Sequence, residues 1–120
     1  MKNITNIVLN IPETHKQVIN HVLNKFIGNA HIDSIFLFGS CAKGAANEDS
    51  DIDLLIITND KIYDDSHEAF DVIYGATDDI PLEKYISCDI LTATKDDFIF
   101  DSTPLIKIVK REGIELYGLL

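Results

Sequence analysis

Three aspartates in apolar segments are the residues whose chemistry most needs an explanation. Asp51 and Asp53 lie two apart in the apolar segment 51–58, so a strand would project both carboxylates from one face. Asp89 stands in a later apolar segment, although aspartate is disfavoured in strand interiors. A single such aspartate is usually a cap or faces solvent. If the two strands are neighbours, however, three carboxylates converge, and their repulsion favours a divalent cation such as Mg²⁺ or Mn²⁺.

The dipeptide Gly39-Ser40 is the second candidate element. It directly follows the apolar and aromatic segment 32–38, which we predict to be a buried strand. A strand that ends in Gly-Ser and turns into a helix exposes backbone N–H groups and a hydroxyl, which together can bind phosphate. Taken alone, Gly-Ser is better explained as a plain turn.

Two better-known motifs are excluded here. Gly39 and Gly44 have the spacing of a Walker A loop, but Ala45-Ala46 stands where Lys-Ser/Thr is required. Asp49 resembles the first position of an EF-hand loop, but Leu54 replaces the required glycine.

The elements that must position these residues alternate between helix and strand. We predict strands over 32–38, 51–58, 85–94 and 114–117, and helices over 12–28, 64–76 and 104–112. This order predicts an α/β (α+β) fold with one mixed central sheet flanked by helices. A length of 120 residues predicts a single domain over 1–120.

Composition limits the partners. The formal net charge is −10, so we expect no nucleic-acid partner and favour either a basic protein or metal cations. Two cysteines are too few for a disulfide scaffold. The first residues lack the apolar core of a signal peptide, and no apolar run is long enough for a membrane span. We therefore expect a cytoplasmic protein with no membrane association.

The other chemically capable residues have plainer interpretations. His15, His21, His31 and His67 show no ligand spacing to one another and are expected on the surface or on helix faces. Cys41 and Cys88 neighbour the candidate site, but with no histidine or arginine beside them we expect them to fill space rather than react. Lys107, Lys110 and Arg111 suit a helix C-terminus and could also contact a partner.

The combination of these motifs is more specific than its parts. Gly39-Ser40, ten intervening residues, Asp51-Ile52-Asp53 and a later Asp89 resemble the nucleotidyltransferase signature of the DNA polymerase β superfamily. The fuller strings 38–44 and 50–56 resemble the minimal nucleotidyltransferase (MNT) family, and the resemblance extends from about Ile11 to Tyr117. Lys43 stands where an arginine is more usual, which keeps the charge but loses the bidentate fork.

The resemblance implies a nucleotidyltransferase core and a role for each motif residue. Asp51, Asp53 and Asp89 would be the catalytic and metal-ligating residues, holding two Mg²⁺ ions, with Mn²⁺ as an alternative. Gly39, Ser40 and Lys43 would bind the nucleotide, with ATP as the substrate. Asp89 would ligate the metal nearest the acceptor hydroxyl and help to take the proton of that hydroxyl.

The resemblance also implies a partner. Minimal nucleotidyltransferases typically act as antitoxins paired with a HEPN-domain toxin, to which they transfer AMP, and the charge of −10 suits a basic partner. Two alternatives stay open: a non-catalytic antitoxin that neutralises the toxin by binding, and a small-molecule nucleotidyltransferase. The sequence does not indicate the base preference, the acceptor residue, the number of nucleotides transferred or the oligomeric state.

Overall fold

A five-stranded mixed sheet organises the chain in the computed structural model, which describes residues 2–4, 10–62, 67–81 and 86–119. The elements are β1 (Lys2–Ile4), α1 (Glu13–Phe26), β2 (Ile32–Phe38), β3 (Ile52–Thr58), α2 (Phe70–Tyr74), β4 (Cys88–Thr94), α3 (Lys95–Phe100), α4 (Pro104–Glu112) and β5 (Ile114–Leu119). The strand order is β1-β5-β2-β3-β4, with β3 and β4 parallel and the other pairs antiparallel. Within those ranges, no helix has the length and apolar character that crossing a membrane requires.

The sheet is covered by helices on both faces, which explains why β3 is almost continuously apolar. Ile52, Leu54 and Ile56 face the core that includes the buried side of α1 and Ile73 of α2. Leu55 and Ile57 point the opposite way and pack against α4. Because side chains alternate along a strand, Asp53 shares its face with Leu55 and Ile57, on the α3 and α4 side of the sheet.

The predicted fold class is confirmed, and the element boundaries differ in detail. The second predicted strand begins at Ile52, so Asp51 precedes it. The helix predicted over 64–76 is described only from Phe70 to Tyr74, and residues 64–66, like Tyr85 of the next predicted strand, lie outside the described residues. The last strand is longer than predicted, reaching Leu119.

Two elements were not predicted. Helix α3 follows β4 without a loop, and the Thr94 hydroxyl caps it by accepting a hydrogen bond from the Asp97 N–H at 3.1 Å. Strand β1 has three residues and pairs with β5. Elements this short carry too little hydrophobic periodicity to be detected in a sequence.

Candidate active site

The register between β3 and β4 places two of the three candidate carboxylates side by side. Asp53 and Asp89 are direct partners across the parallel pair, and residue 51 lies two positions before Asp53. Asp53 is half-buried, whereas Asp51 and Asp89 are exposed. The structure therefore brings the predicted cluster together at the edge where both strands begin, open to solvent on one side.

The carboxylates repel one another. Burial raises the pKa of Asp53, and the charges of Asp89 and Asp51, together with a hydrogen bond shared with Asp89, raise it further. A group of carboxylate oxygens whose charges disfavour one another is a donor set that fits a hard divalent cation. The residues present thus fit the Mg²⁺ that the sequence predicts.

Gly39 is required by the approach of Asp53. Its φ of +73° lies in the left-handed region, and a Cβ built there would overlap the Asp53 carboxylate oxygen Oδ2. The β2–β3 register pairs Phe38 with Asp53, so Gly39 begins the turn directly beside this carboxylate. A side chain at this position would push the carboxylate out of the cluster.

The segment after β2 is a single 3₁₀ turn over Gly39–Cys41. The N–H groups of Ala42 and Lys43 donate to the Gly39 carbonyl at 3.1 and 3.2 Å, so they are directed inward. Ser40 is half-buried within this turn. The turn thus positions the Ser40 hydroxyl and the backbone around Gly39 at the same edge of the sheet as Asp53.

Lys43 forms an ion pair that the sequence did not predict. Its Nζ lies 3.2 Å from Glu112 Oε2 at the end of α4, and this pairing is the main cause of the lowered pKa of Glu112. The Lys43 side chain remains 55% exposed. A phosphate that bound Lys43 would therefore compete with Glu112 for the ammonium group.

The thiols of both cysteines near the site have raised pKa values. The buried Cys41 thiol lies 3.5 Å from the Asp51 carbonyl, and burial together with the charge of Asp53 raises its pKa. Burial, and then the charge of Asp89, raises the pKa of Cys88 to about 12. Neither thiol ionises readily, as expected of side chains that fill space.

His15 is the residue near this site that the sequence analysis missed. Of the two predicted locations, surface or helix face, the surface is wrong for it, because His15 lies fully buried on the inner face of α1. Its Nε2–H donates to the Ser50 carbonyl at 2.7 Å, whereas its Nδ1 has no partner among the described residues. His15 precedes Val18, Ile19 and Val22 at helical spacing, a signal that could have placed it on the buried face of α1.

His15 thereby supports the loop that carries a candidate carboxylate. Ser50 immediately precedes Asp51, and the hydrogen bond satisfies its carbonyl from within the core. A buried carbonyl without a partner is destabilising, so this bond restricts the position of the chain entering β3.

Comparison with known proteins identifies the family. The model of the family described as "Polymerase beta, Nucleotidyltransferase" matches residues 17–117. The chain therefore belongs to the polymerase beta nucleotidyltransferase family. A search of curated protein sequences finds no match.

Solved structures show the same fold at low sequence identity. A toxin–antitoxin crystal structure with AMP-PNP is 23% identical, with a TM-score of 0.57 over 87% of this chain and 73% of that chain. A mutant of the toxin–antitoxin MntA-HpeT is 20% identical, with a TM-score of 0.57 over 90% and 75%. A structure of a tri-AMPylated Shewanella oneidensis HEPN toxin in complex with an MNT antitoxin is 19% identical, with a TM-score of 0.50 over 88% and 71%.

Proposed function

We propose that this protein transfers AMP from ATP to a hydroxyl group of a HEPN-domain toxin and is the antitoxin of that pair. The observation that carries the proposal is the juxtaposition of Asp53 and Asp89 on adjacent strands, with Gly39 against the Asp53 carboxylate. Family membership supports nucleotidyl transfer. The protein acceptor and the antitoxin role are supported by the fold shared with antitoxins of such pairs.

Each motif residue has a chemical task in this proposal. Asp51, Asp53 and Asp89 would hold Mg²⁺, or alternatively Mn²⁺. When bound, the cation neutralises charge on the entering and leaving oxygens. Ser40 donates its hydroxyl hydrogen to a phosphate oxygen, and Lys43 contributes a positive charge after exchanging Glu112 for phosphate.

The transfer itself is a substitution at phosphorus. The acceptor oxygen forms a bond to the α-phosphorus, and the bond from that phosphorus to the bridging oxygen breaks, so pyrophosphate leaves with the electron pair. Asp89 is the more exposed of the register-paired carboxylates and takes the hydroxyl proton. The products are an AMP ester of the acceptor and pyrophosphate.

A macromolecular acceptor suits the surface around the carboxylates. Leu91 follows Asp89 by two residues in β4, so it shares the same face, and it is 41% exposed. Phe100 ends α3, which packs on that face through Phe98, and it is 81% exposed. These two exposed side chains are candidates for contact with a protein acceptor, and a formal net charge of −10 favours encounter with a basic protein.

The decisive experiment supplies the partner. The protein is incubated with the HEPN protein encoded beside it, α-labelled ATP and Mg²⁺, and intact-mass spectrometry measures AMP increments on both proteins. We expect label on the HEPN protein with the unaltered chain and none with Asp89→Asn. The matched control is Asp49→Asn, which removes one charge from the exposed loop preceding the site and should retain transfer.

Two outcomes contradict the proposal in different ways. If Asp89→Asn neutralises the toxin as well as the unaltered protein does and no AMP increment appears with either, the protein acts by binding alone. If label is released as a small-molecule adduct and never reaches protein, the acceptor is a small molecule.

A further inference from the structure

A second cluster of titratable side chains lies at the opposite end of the sheet. His31 directly precedes β2, Asp60 lies two residues beyond β3, and His67 lies shortly before α2. Because β2 and β3 are antiparallel, the start of β2 meets the end of β3, where the Asn59 N–H donates to the His31 carbonyl at 3.0 Å. β3 separates this cluster from Asp53 by roughly 20 Å.

Asp60 connects the two imidazoles. His67 Nε2 lies 2.7 Å from Asp60 Oδ2, and His31 Nδ1 lies 3.2 Å from Asp60 Oδ1. One ligand atom from each of the three residues can be chosen so that all lie within 4.8 Å of one another. In a tetrahedral zinc site with bonds of about 2.0–2.1 Å, ligand atoms are about 3.3 Å apart. Small side-chain shifts would therefore convert this cluster into a coordination sphere.

Glu68 provides the support that metal-bound histidines usually have. Its carboxylate accepts a hydrogen bond from His31 Nε2, the nitrogen turned away from Asp60. In metal sites, such a carboxylate holds the imidazole in the tautomer whose other nitrogen is available to the metal. An open cavity lined by Ala30, His31 and Glu68, among others, gives solvent access to the cluster.

We propose that His31, Asp60 and His67 form a binding site for a divalent transition metal of the zinc class, with Glu68 orienting His31 and a water completing the coordination. Two imidazoles and a carboxylate suit Zn²⁺. The carboxylate-only cluster around Asp53 instead suits Mg²⁺. The site is independent of the proposed nucleotidyl transfer, since it shares no residue with it.

Metal binding has a structural consequence at His67. In the structure, the buried Ala69 N–H donates to His67 Nδ1 at 3.0 Å, so His67 is a neutral imidazole whose proton is on Nε2, the nitrogen facing Asp60. Coordination through Nε2 moves the proton to Nδ1, which can no longer accept from Ala69. The Ala69 hydrogen bond must therefore break as the metal binds.

The experiment is isothermal titration calorimetry of the full, untagged chain with Zn²⁺. Asp51→Asn and Asp53→Asn are introduced first, so that the carboxylate cluster does not contribute. We expect this protein to bind one equivalent of Zn²⁺. His31→Gln or His67→Gln should lower the Zn²⁺ affinity by at least about tenfold, and Glu68→Gln should lower it by about tenfold. The matched control is His21→Gln, because His21 also pairs with a carboxylate, Asp79, at 2.9 Å on the surface, and it should change nothing.

Amide NMR tests the geometry independently. Saturating Zn²⁺ should shift the Ala69 amide resonance strongly, as the loss of its hydrogen bond requires, while the amides near Asp53 stay in place. Far-UV circular dichroism identifies any histidine variant that fails to fold. Asp60→Asn then takes its place and is expected to lose Zn²⁺ binding. The proposal is overturned if the Asp51→Asn, Asp53→Asn protein does not bind one equivalent of Zn²⁺, or if folded His31→Gln, His67→Gln and Asp60→Asn variants of it bind Zn²⁺ as tightly as it does. It is also overturned if His21→Gln weakens Zn²⁺ binding as much as those variants do.

Discussion

The two ends of β3 both carry clusters of ionisable side chains, but their charge balance is opposite. The carboxylate end comprises Asp51, Asp53 and Asp89, and there burial and the charges of the two neighbouring acids raise the pKa of Asp53. The histidine end comprises His31, Asp60 and His67, and there hydrogen bonds from the two histidines lower the pKa of Asp60. Clustering alone therefore does not define a cation site for catalysis. The end with only carboxylates lacks a counter-charge of its own and suits a hard cation such as Mg²⁺, whereas the end with two imidazoles suits a softer metal such as Zn²⁺.

Strand direction produces this contrast. The parallel β3–β4 pair brings two strand beginnings together, and each carries an aspartate. The antiparallel β2–β3 pair brings the start of β2 to the end of β3, so a histidine meets an aspartate. The same central strand thus presents like charges at one end and unlike charges at the other.

The largest expected effect tests whether catalysis depends on the carboxylate end. Asp51→Asn or Asp53→Asn should lower AMP transfer by at least about 10²–10³-fold, the scale for losing one preorganised electrostatic group. Asp71→Asn, an equal charge change on an exposed helix, should leave transfer near the unaltered rate. The measurement is the initial rate of label transfer. Full transfer in the Asp51→Asn, Asp53→Asn double variant would remove the assignment.

The next effect concerns His15, whose buried hydrogen bond to the Ser50 carbonyl supports the chain that carries Asp51. His15→Phe keeps a ring but leaves the Ser50 carbonyl without its donor, which should cost about 1–3 kcal/mol of unfolding free energy. We expect kcat to fall roughly tenfold or more because Asp51 is displaced, with a smaller change in KM. His15→Gln retains an N–H donor and should lose less of both. Equal kcat in the two variants at a temperature where both are folded would show a purely structural role.

A smaller effect is expected for phosphate contact. Ser40→Ala should weaken binding of a non-hydrolysable ATP analogue by about 1 kcal/mol, roughly fivefold in Kd. Lys43→Ala should act in the same direction, with an effect that shrinks at high salt. Glu112→Gln should strengthen binding, because it removes the competitor for Lys43. Calorimetry with Mg²⁺ present measures all three, and Ser102→Ala in the exposed segment before α4 is the control.

Stability should respond in the opposite sense to activity at the carboxylate end. The folded pKa of Asp53 is raised, so its ionisation disfavours the folded state as pH rises above about 4. With chelator present at pH 7, Asp53→Asn should therefore raise the free energy of unfolding by about 0.5–1 kcal/mol after solvent screening. Urea denaturation measures this. Destabilisation relative to Asp49→Asn would mean that the carboxylates do not repel.

The smallest expected effect is the pH dependence of the histidine end. The pKa of His31 is raised by hydrogen bonds to Glu68 and Asp60, so its stabilising contribution is complete below about pH 6.5 and is lost as pH rises through the folded value. The pKa of Asp60 is lowered, so its contribution is lost as pH falls below about 4. With chelator present, we expect the free energy of unfolding, measured by urea denaturation, to fall with pH above about 6.5. His31→Gln should reduce this fall, whereas His21→Gln should leave it as it is in the unaltered protein.

Sequence reasoning reached the fold class and paired Asp51 with Asp53, because both depend on local signals. Side chains alternate between the two faces of a strand, so Asp51 and Asp53 could be placed on one face without coordinates. The spacing from Gly39-Ser40 to these aspartates then carried the family resemblance. Lys43 was also selected, but its partner Glu112 lies on another element and was not predicted.

The sequence by itself therefore determined the alternating elements, the paired aspartates and the glycine turn, because each is encoded within a few consecutive residues. Only the tertiary structure decided that Asp89 lies beside Asp53, that His15 donates to the Ser50 carbonyl, and that His31 meets Asp60 and His67. These contacts join residues far apart in the chain, and they depend on strand order and register. Those are set by the packing of both sheet faces at once, which no local pattern records.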